Sequence, residues 1–149
     1  LAISGGALWM DSDGYYWMDP AKESTLSYLE TMAYIALDMG FDEIVYLDFY
    51  LPESDYIVYG ETAETAIVDA AAYLSTTTVA DQINISYGSS DGALLAYGDR
   101  LYLESGNASL IASLTEQVPA DKKAAETLVF LTSSRDTRFQ DYGLIQPLE

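Results

Sequence analysis

The sequence predicts an α/β fold in which mainly parallel strands alternate with helices. Short segments that are apolar almost throughout, such as residues 43–51 (EIVYLDFYL), suit strands covered on both faces. Between them lie longer stretches with apolar residues at helical spacing. The two kinds follow one another in turn, the order expected of a parallel sheet with crossover helices. No repeat, low-complexity linker or shift of composition divides the 149 residues, so a single domain over 1–149 is expected.

Residues 1–20 (LAISGGALWMDSDGYYWMDP) read as a short strand, a turn and the approach to a helix. The DSDG stretch from Asp11 to Gly14 superficially suggests a calcium loop. An EF-hand needs glycine at the sixth position and Glu at the twelfth, so a β-turn between aromatic-rich strands fits better. Asp19-Pro20 predicts a helix start, with Asp as N-cap and Pro at the first helical position. Leu26, Leu29, Ala33, Ala36 and Leu37 continue the helix, and Gly40 ends it. The strand over 43–51 follows. Residues 61–74 form the next helix, 82–87 and 100–104 two strands, and 107–118 a helix ended by Pro119. Strands over 128–132 and 143–146 complete the set. Two architectures accommodate this order: an open doubly wound sheet, or part of a (β/α)8 barrel, whose full form needs about 250 residues.

Charge excludes one large class of partner. Six basic residues against 24 acidic ones give −18, and nucleic-acid binding needs clustered Lys and Arg. The same charge disfavours anionic membrane surfaces and suits solubility in an extracellular setting. No apolar run is long enough to cross a bilayer. With no Cys and no His, thiolate chemistry, Cys/His zinc sites and His-based triads are excluded within the chain. No dinucleotide or P-loop fingerprint occurs, and no cofactor or metal is implied, although calcium or magnesium through oxygen ligands stays open. Carboxylates, hydroxyls, Lys and Arg remain. Thirteen tyrosines supply flat amphipathic rings, suited equally to sugar faces, protein partners and strand interiors.

One stretch carries a resemblance. Trp9, Asp13-Gly14, Trp17, Asp19-Pro20, Gly40-Phe41-Asp42-Glu43-Ile44, Asp48 and Pro52 stand in a pattern that resembles a bacterial glycosyl-hydrolase-like (β/α)8-barrel family. That family carries an aromatic-rich DG-x-x-W-x-D-P turn, a helix leading to GFDEI, and a strand ending in Asp before Arg-Phe-Pro. The likeness covers residues 7–53 and is only architectural beyond them. Here Tyr50-Leu51 replaces the Arg-Phe, and Asp48 sits one position later than the Asp of many relatives. The resemblance implies a TIM-barrel-like fold of which this chain supplies the later strands, as a fragment or as one chain of a split barrel with a companion; a shortened fold is the alternative. Beginning at Leu1 without Met, the chain is expected to be a processed product or a fragment. The resemblance also implies a secreted or cell-surface protein acting on carbohydrate.

In parallel α/β folds the site lies at the C-terminal ends of the strands. Asp48, Glu104 and Arg135-Asp136 all follow strands. Two carboxylates flanking a glycosidic bond suffice for its hydrolysis, one as general acid and one as nucleophile or base. Asp48 is the candidate nucleophile or electrostatic stabiliser and Glu104 the candidate acid. Asp136 would hold sugar hydroxyls with Arg135 in support, and Tyr46, Tyr50, Tyr87 and Tyr102 would offer stacking faces or hydroxyls. Plainer roles compete: strand-end acids also serve as caps and loop ion pairs. Asp42-Glu43 is expected at the opposite, structural end of the sheet, and Asp121-Lys122-Lys123 as a solvated turn. The functional alternatives are a glycosidase, a non-catalytic module binding glycans or proteins through the same mouth, and a structural module.

Overall fold

The computed structural model describes residues 1–59, 63–104, 106–132 and 137–145. Five strands alternate with helices: α1 (Glu23–Asp38), β1 (Glu43–Tyr46), α2 (Ala63–Ser75), β2 (Asn84–Gly88), β3 (Leu101–Leu103), α3 (Ala108–Gln117), α4 (Ala124–Thr127), β4 (Leu128–Leu131) and β5 (Gly143–Ile145). Short 3₁₀ turns at Gly92–Ala96 and Thr137–Phe139 precede β3 and β5. The strands form one sheet in the order β1-β2-β3-β4-β5, each parallel to its neighbour. The order runs straight through, without the reversal found in doubly wound sheets. Among the described residues no helix is long and apolar enough to cross a membrane.

Local chemistry explains where the elements begin and end. Asp19-Pro20 does not cap α1; it makes a turn three residues earlier. The Lys22 N–H donates to the Asp19 carbonyl at 3.1 Å and the Ala21 N–H to Asp19 Oδ1 at 3.1 Å. Asp at the first and Pro at the second position of a turn is the favoured pairing, and here it outcompetes the cap. The other end of α1 matches expectation. Gly40 has φ +84°, its N–H donates to Leu37 O, and Phe41 N–H donates to Ala36 O. This is the paired hydrogen bonding of a Schellman C-cap.

The strand expected over 43–51 is cut to four residues, because Asp48 takes φ +51° and breaks the extension. It is the one non-glycine at positive φ among the described residues, and Asp is among the few side chains that tolerate that region. The short strand expected at the N-terminus resolves into isolated antiparallel bridges, Ala2 with Leu8 and Met10 with Tyr16.

The helices lie on one face of the sheet. Ile44 and Tyr46, Ile85 and Tyr87, Leu101 and Leu103, Leu128 and Phe130 alternate along their strands and share a core with helix residues. Leu29 and Ala33 reach it from α1, Ala70, Ala71 and Leu74 from α2, and Leu114 from α3. Phe130 stacks on Phe139 at 4.4 Å between ring centres. Truncating a fully buried member such as Leu74 or Leu114 to Ala would cost about 2–5 kcal/mol. The opposite face carries Glu43, Val45, Ser86, Gly88, Tyr102, Val129 and Leu131 by the same alternation. None of the helix residues in that core lies on it. β1 is therefore half-buried along its length instead of covered on both faces, which corrects the expectation for its apolar run.

Candidate functional site at the C-terminal edge of the sheet

The chain leaving β1 crosses the end of β2. Phe49 N–H donates to Gly88 O at 2.9 Å, and Leu47 lies so close over Gly88 that a Cβ there would stand 2.9 Å from Leu47 Cδ2 and 3.0 Å from its Cα. Glycine at 88 thus lets the loop pass. The crossing turns Asp48 toward β3, where Glu104 follows Leu103. Both acids are exposed and line one cleft of about 270 Å³ with Tyr50, Ser89 and Tyr102.

Tyr50 stands between several carboxylates. Burial, then the negative charges of Asp48, Asp11 and Glu104, raise its phenol above the usual tyrosine value. It therefore remains a neutral hydrogen-bond donor across the physiological range. Behind it the N-terminal turn provides a support. Asp11 Oδ1 accepts from Tyr15 N at 2.8 Å and Asp13 N at 3.0 Å, and Oδ2 accepts from the Trp17 indole at 2.9 Å. The Tyr15 amide and then the Trp17 indole hold the Asp11 carboxyl below the ordinary carboxylate value. Trp17, fixed in this way, packs its ring 5.0 Å from that of Tyr50. The aromatic-rich turn is thus a buttress for the mouth.

The structure brings Asp48, Glu104 and Tyr50 together and separates the other tyrosines from them. Tyr46 and Tyr87 point into the helix layer. Tyr46 donates to Leu29 O at 2.6 Å, and Tyr87 is fully buried with its hydroxyl 3.5 Å from Ala71 O. Desolvation raises both phenols. Neither offers a face or hydroxyl to a ligand in the cleft, a correction that follows from strand alternation: odd and even positions face opposite sides. Tyr102 lines the cleft, and its hydroxyl donates to Glu43 Oε2 at 3.0 Å. Arg135 and Asp136 lie outside the described residues.

A polar cluster went unread in the sequence. On the sheet face without helices, Glu43 accepts from Ser86 Oγ at 2.5 Å, from Arg100 Nη1 at 2.7 Å and from the Tyr102 hydroxyl at 3.0 Å. Ser86 Oγ in turn accepts from Arg100 N at 3.1 Å. Glu43 does sit at the far, structural end of the strand as expected, yet it organises three strands there. The available signal is polar residues two apart, Asn84 with Ser86 and Arg100 with Tyr102, where a strand covered on both faces should be apolar. Lys122 also departs from its expected solvated turn: its ammonium donates to Gly98 O at 2.8 Å and Leu95 O at 3.2 Å, closing the turn before β3.

Among the described residues no three or more acids are grouped so as to hold a metal ion. Exposed carboxylates facing a cleft beside a neutral phenol can accept and donate hydrogen bonds to hydroxyl-rich ligands and exchange protons with them. In comparisons with family models, curated proteins and solved structures, the chain matches none.

Proposed function

We propose that the cleft between β1 and β3 is a saccharide site of glycoside-hydrolase type, with Asp48 and Glu104 as its carboxylate pair. The observation that carries this reading is their convergence, from two separate strands, at the C-terminal edge of a parallel sheet. In the reaction, Glu104 protonates the leaving oxygen. Asp48 either attacks the anomeric carbon or activates water, according to whether the carboxyl groups stand about 5 Å or about 6.5–9.5 Å apart with substrate bound. Tyr50 donates to a sugar hydroxyl or to Asp48. The sequential strand order and the helices on one face support reading the sheet as an arc of a (β/α)8 barrel, its helix-free face turned inward.

A binding-only role is the second reading, favoured by two observations. Tyr50-Leu51 occupies the place of the family's cation, and both acids are exposed to water instead of being held in an apolar pocket. The test is hydrolysis of a panel of neutral oligosaccharides by the wild type, Asp48→Asn and Glu104→Gln. The enzyme reading expects each variant to lose at least about a hundredfold in rate, the scale of positioned acid–base catalysis. Saccharide binding without turnover in the wild type assigns the binding role, and equal rates in all three proteins refute the assignment of the pair.

A further inference from the structure

We propose that the open edge of β1 is a docking site for one more parallel strand, an extended apolar polypeptide segment of different sequence from this chain. Among the described residues β1 pairs only with β2. Asn84 N–H donates to Asp42 O at 3.0 Å, so the backbone groups of Asp42, Ile44 and Tyr46 face β2. Those of Glu43, Val45 and Leu47 face the open side by alternation. An exposed strand edge is a template for further pairing unless it is shielded. Here it is flanked by a recess of about 390 Å³, walled by Trp17, Tyr28, Leu29 and Met32 on one side and by Ile44 and Tyr46 on the other. Asp48 is the one charged residue in that lining.

Topology says what the recess fits. α2 has a strand before it and a strand after it, joining β1 to β2 across the core face; α3 stands likewise between β3 and β4. α1 packs on β1 and α2 in the same layer, but among the described residues no strand of the sheet precedes it. A right-handed parallel unit places the preceding strand beside β1, under the outer flank of α1. The recess lies there.

Charge identifies the occupant further. Asp48 lines the recess, Asp11 accepts from the indole of Trp17 in its wall, and the chain carries −18. A second copy would bring equal charge and, through a two-fold axis, would place its own β1 antiparallel. A neutral or basic segment lying parallel to β1 avoids both problems. Its alternate side chains would enter the recess, and its C-terminal end would arrive beside Asp48, adding a wall to the cleft. This inference stands apart from the saccharide reading, since it needs only the free parallel edge.

The experiment follows backbone amide exchange by NMR in the full chain. The probe is a synthetic peptide of alternating valine and threonine flanked by lysines, with a spin label at its C-terminus. At saturating peptide the Val45 and Leu47 amides are expected to slow by about tenfold or more, with the label broadening signals near Asp48. Val45→Pro removes a donor on the open side and no bond to β2, so it should abolish protection. Tyr28→Lys, at a half-exposed helix position, brings a charge into the recess wall that also repels the lysines of the peptide; it should weaken the peptide by about tenfold without disturbing the fold, and it decides the matter if the proline variant unfolds. Unchanged exchange at Val45 and Leu47 overturns the proposal. Protection that grows with protein concentration alone assigns the edge to a second copy. Broadening near Glu43 instead of Asp48 makes the added strand antiparallel and overturns the orientation.

Discussion

Replacing Glu43 tests the reading of the helix-free face, because one carboxylate there satisfies three donors. In Glu43→Ala, Arg100 can turn to water, its side chain being 38% exposed. The Ser86 and Tyr102 hydroxyls cannot, since both residues are buried. Two stranded buried donors at about 1–3 kcal/mol each, partly relieved by water entering the space vacated, give an expected loss of about 2–4 kcal/mol. Glu43→Gln keeps one acceptor and should lose about 1–2 kcal/mol. Urea unfolding followed by circular dichroism reads the difference. With a slope of about 1–3 kcal/mol per molar, the alanine variant should unfold at least about 0.7 M earlier. A double-mutant cycle with Arg100→Met isolates the ion pair, whose coupling should exceed about 1 kcal/mol. For comparison, the exposed Lys123–Glu126 pair, at 76% and 69% side-chain exposure, should couple by less than that. If Glu43→Ala unfolds within about 0.3 M of wild type, the cluster does not hold the three strands together and the reasoning fails.

Two further outcomes follow from the fold. Tyr46, Tyr87 and Tyr102 all have raised phenol pKa values, burial being the largest cause in each. The unfolded chain releases these protons near 10 while the folded chain retains them, so this contribution is intact below about pH 10 and is lost above it. The melting temperature should therefore fall between pH 10 and 12, less steeply in Tyr46→Phe; identical profiles would contradict the assignment. Gly40→Ala places a Cβ at φ +84° in the C-cap of α1 and should cost about 1 kcal/mol in chemical denaturation, with neutral behaviour counting against the cap.

Much of the layout was legible in the sequence, for reasons that also mark the limit. Each predicted helix and strand in the described residues has a counterpart, save the N-terminal strand, because apolar period and punctuation are local signals. The meeting of Asp48 and Glu104 was foreseeable from parallel topology, which sends every strand end to one edge. Facing was not. Tyrosine satisfies a core and a surface equally, so Tyr46 and Tyr87 read like Tyr50 until the register fixed which side each occupies. Asp48 shortened β1 through its backbone, and nothing in the letters EIVYLDFY announces a left-handed residue. The Glu43 cluster draws on residues 43 to 59 positions apart in the chain, a proximity that only the sheet creates.

The straight strand order has a consequence for how the chain acquires its shape. Each strand hydrogen-bonds to the one made just before it and the one made just after it. As the polypeptide leaves the ribosome, β2 finds β1 already exposed, then β3 finds β2, and no strand must be held in reserve for a distant partner. Loop-closure costs stay small, and each added strand covers the edge left by the one before it, so that besides the standing edge of β1 only the newest strand is open. Assembly can keep pace with synthesis, one βα unit following another.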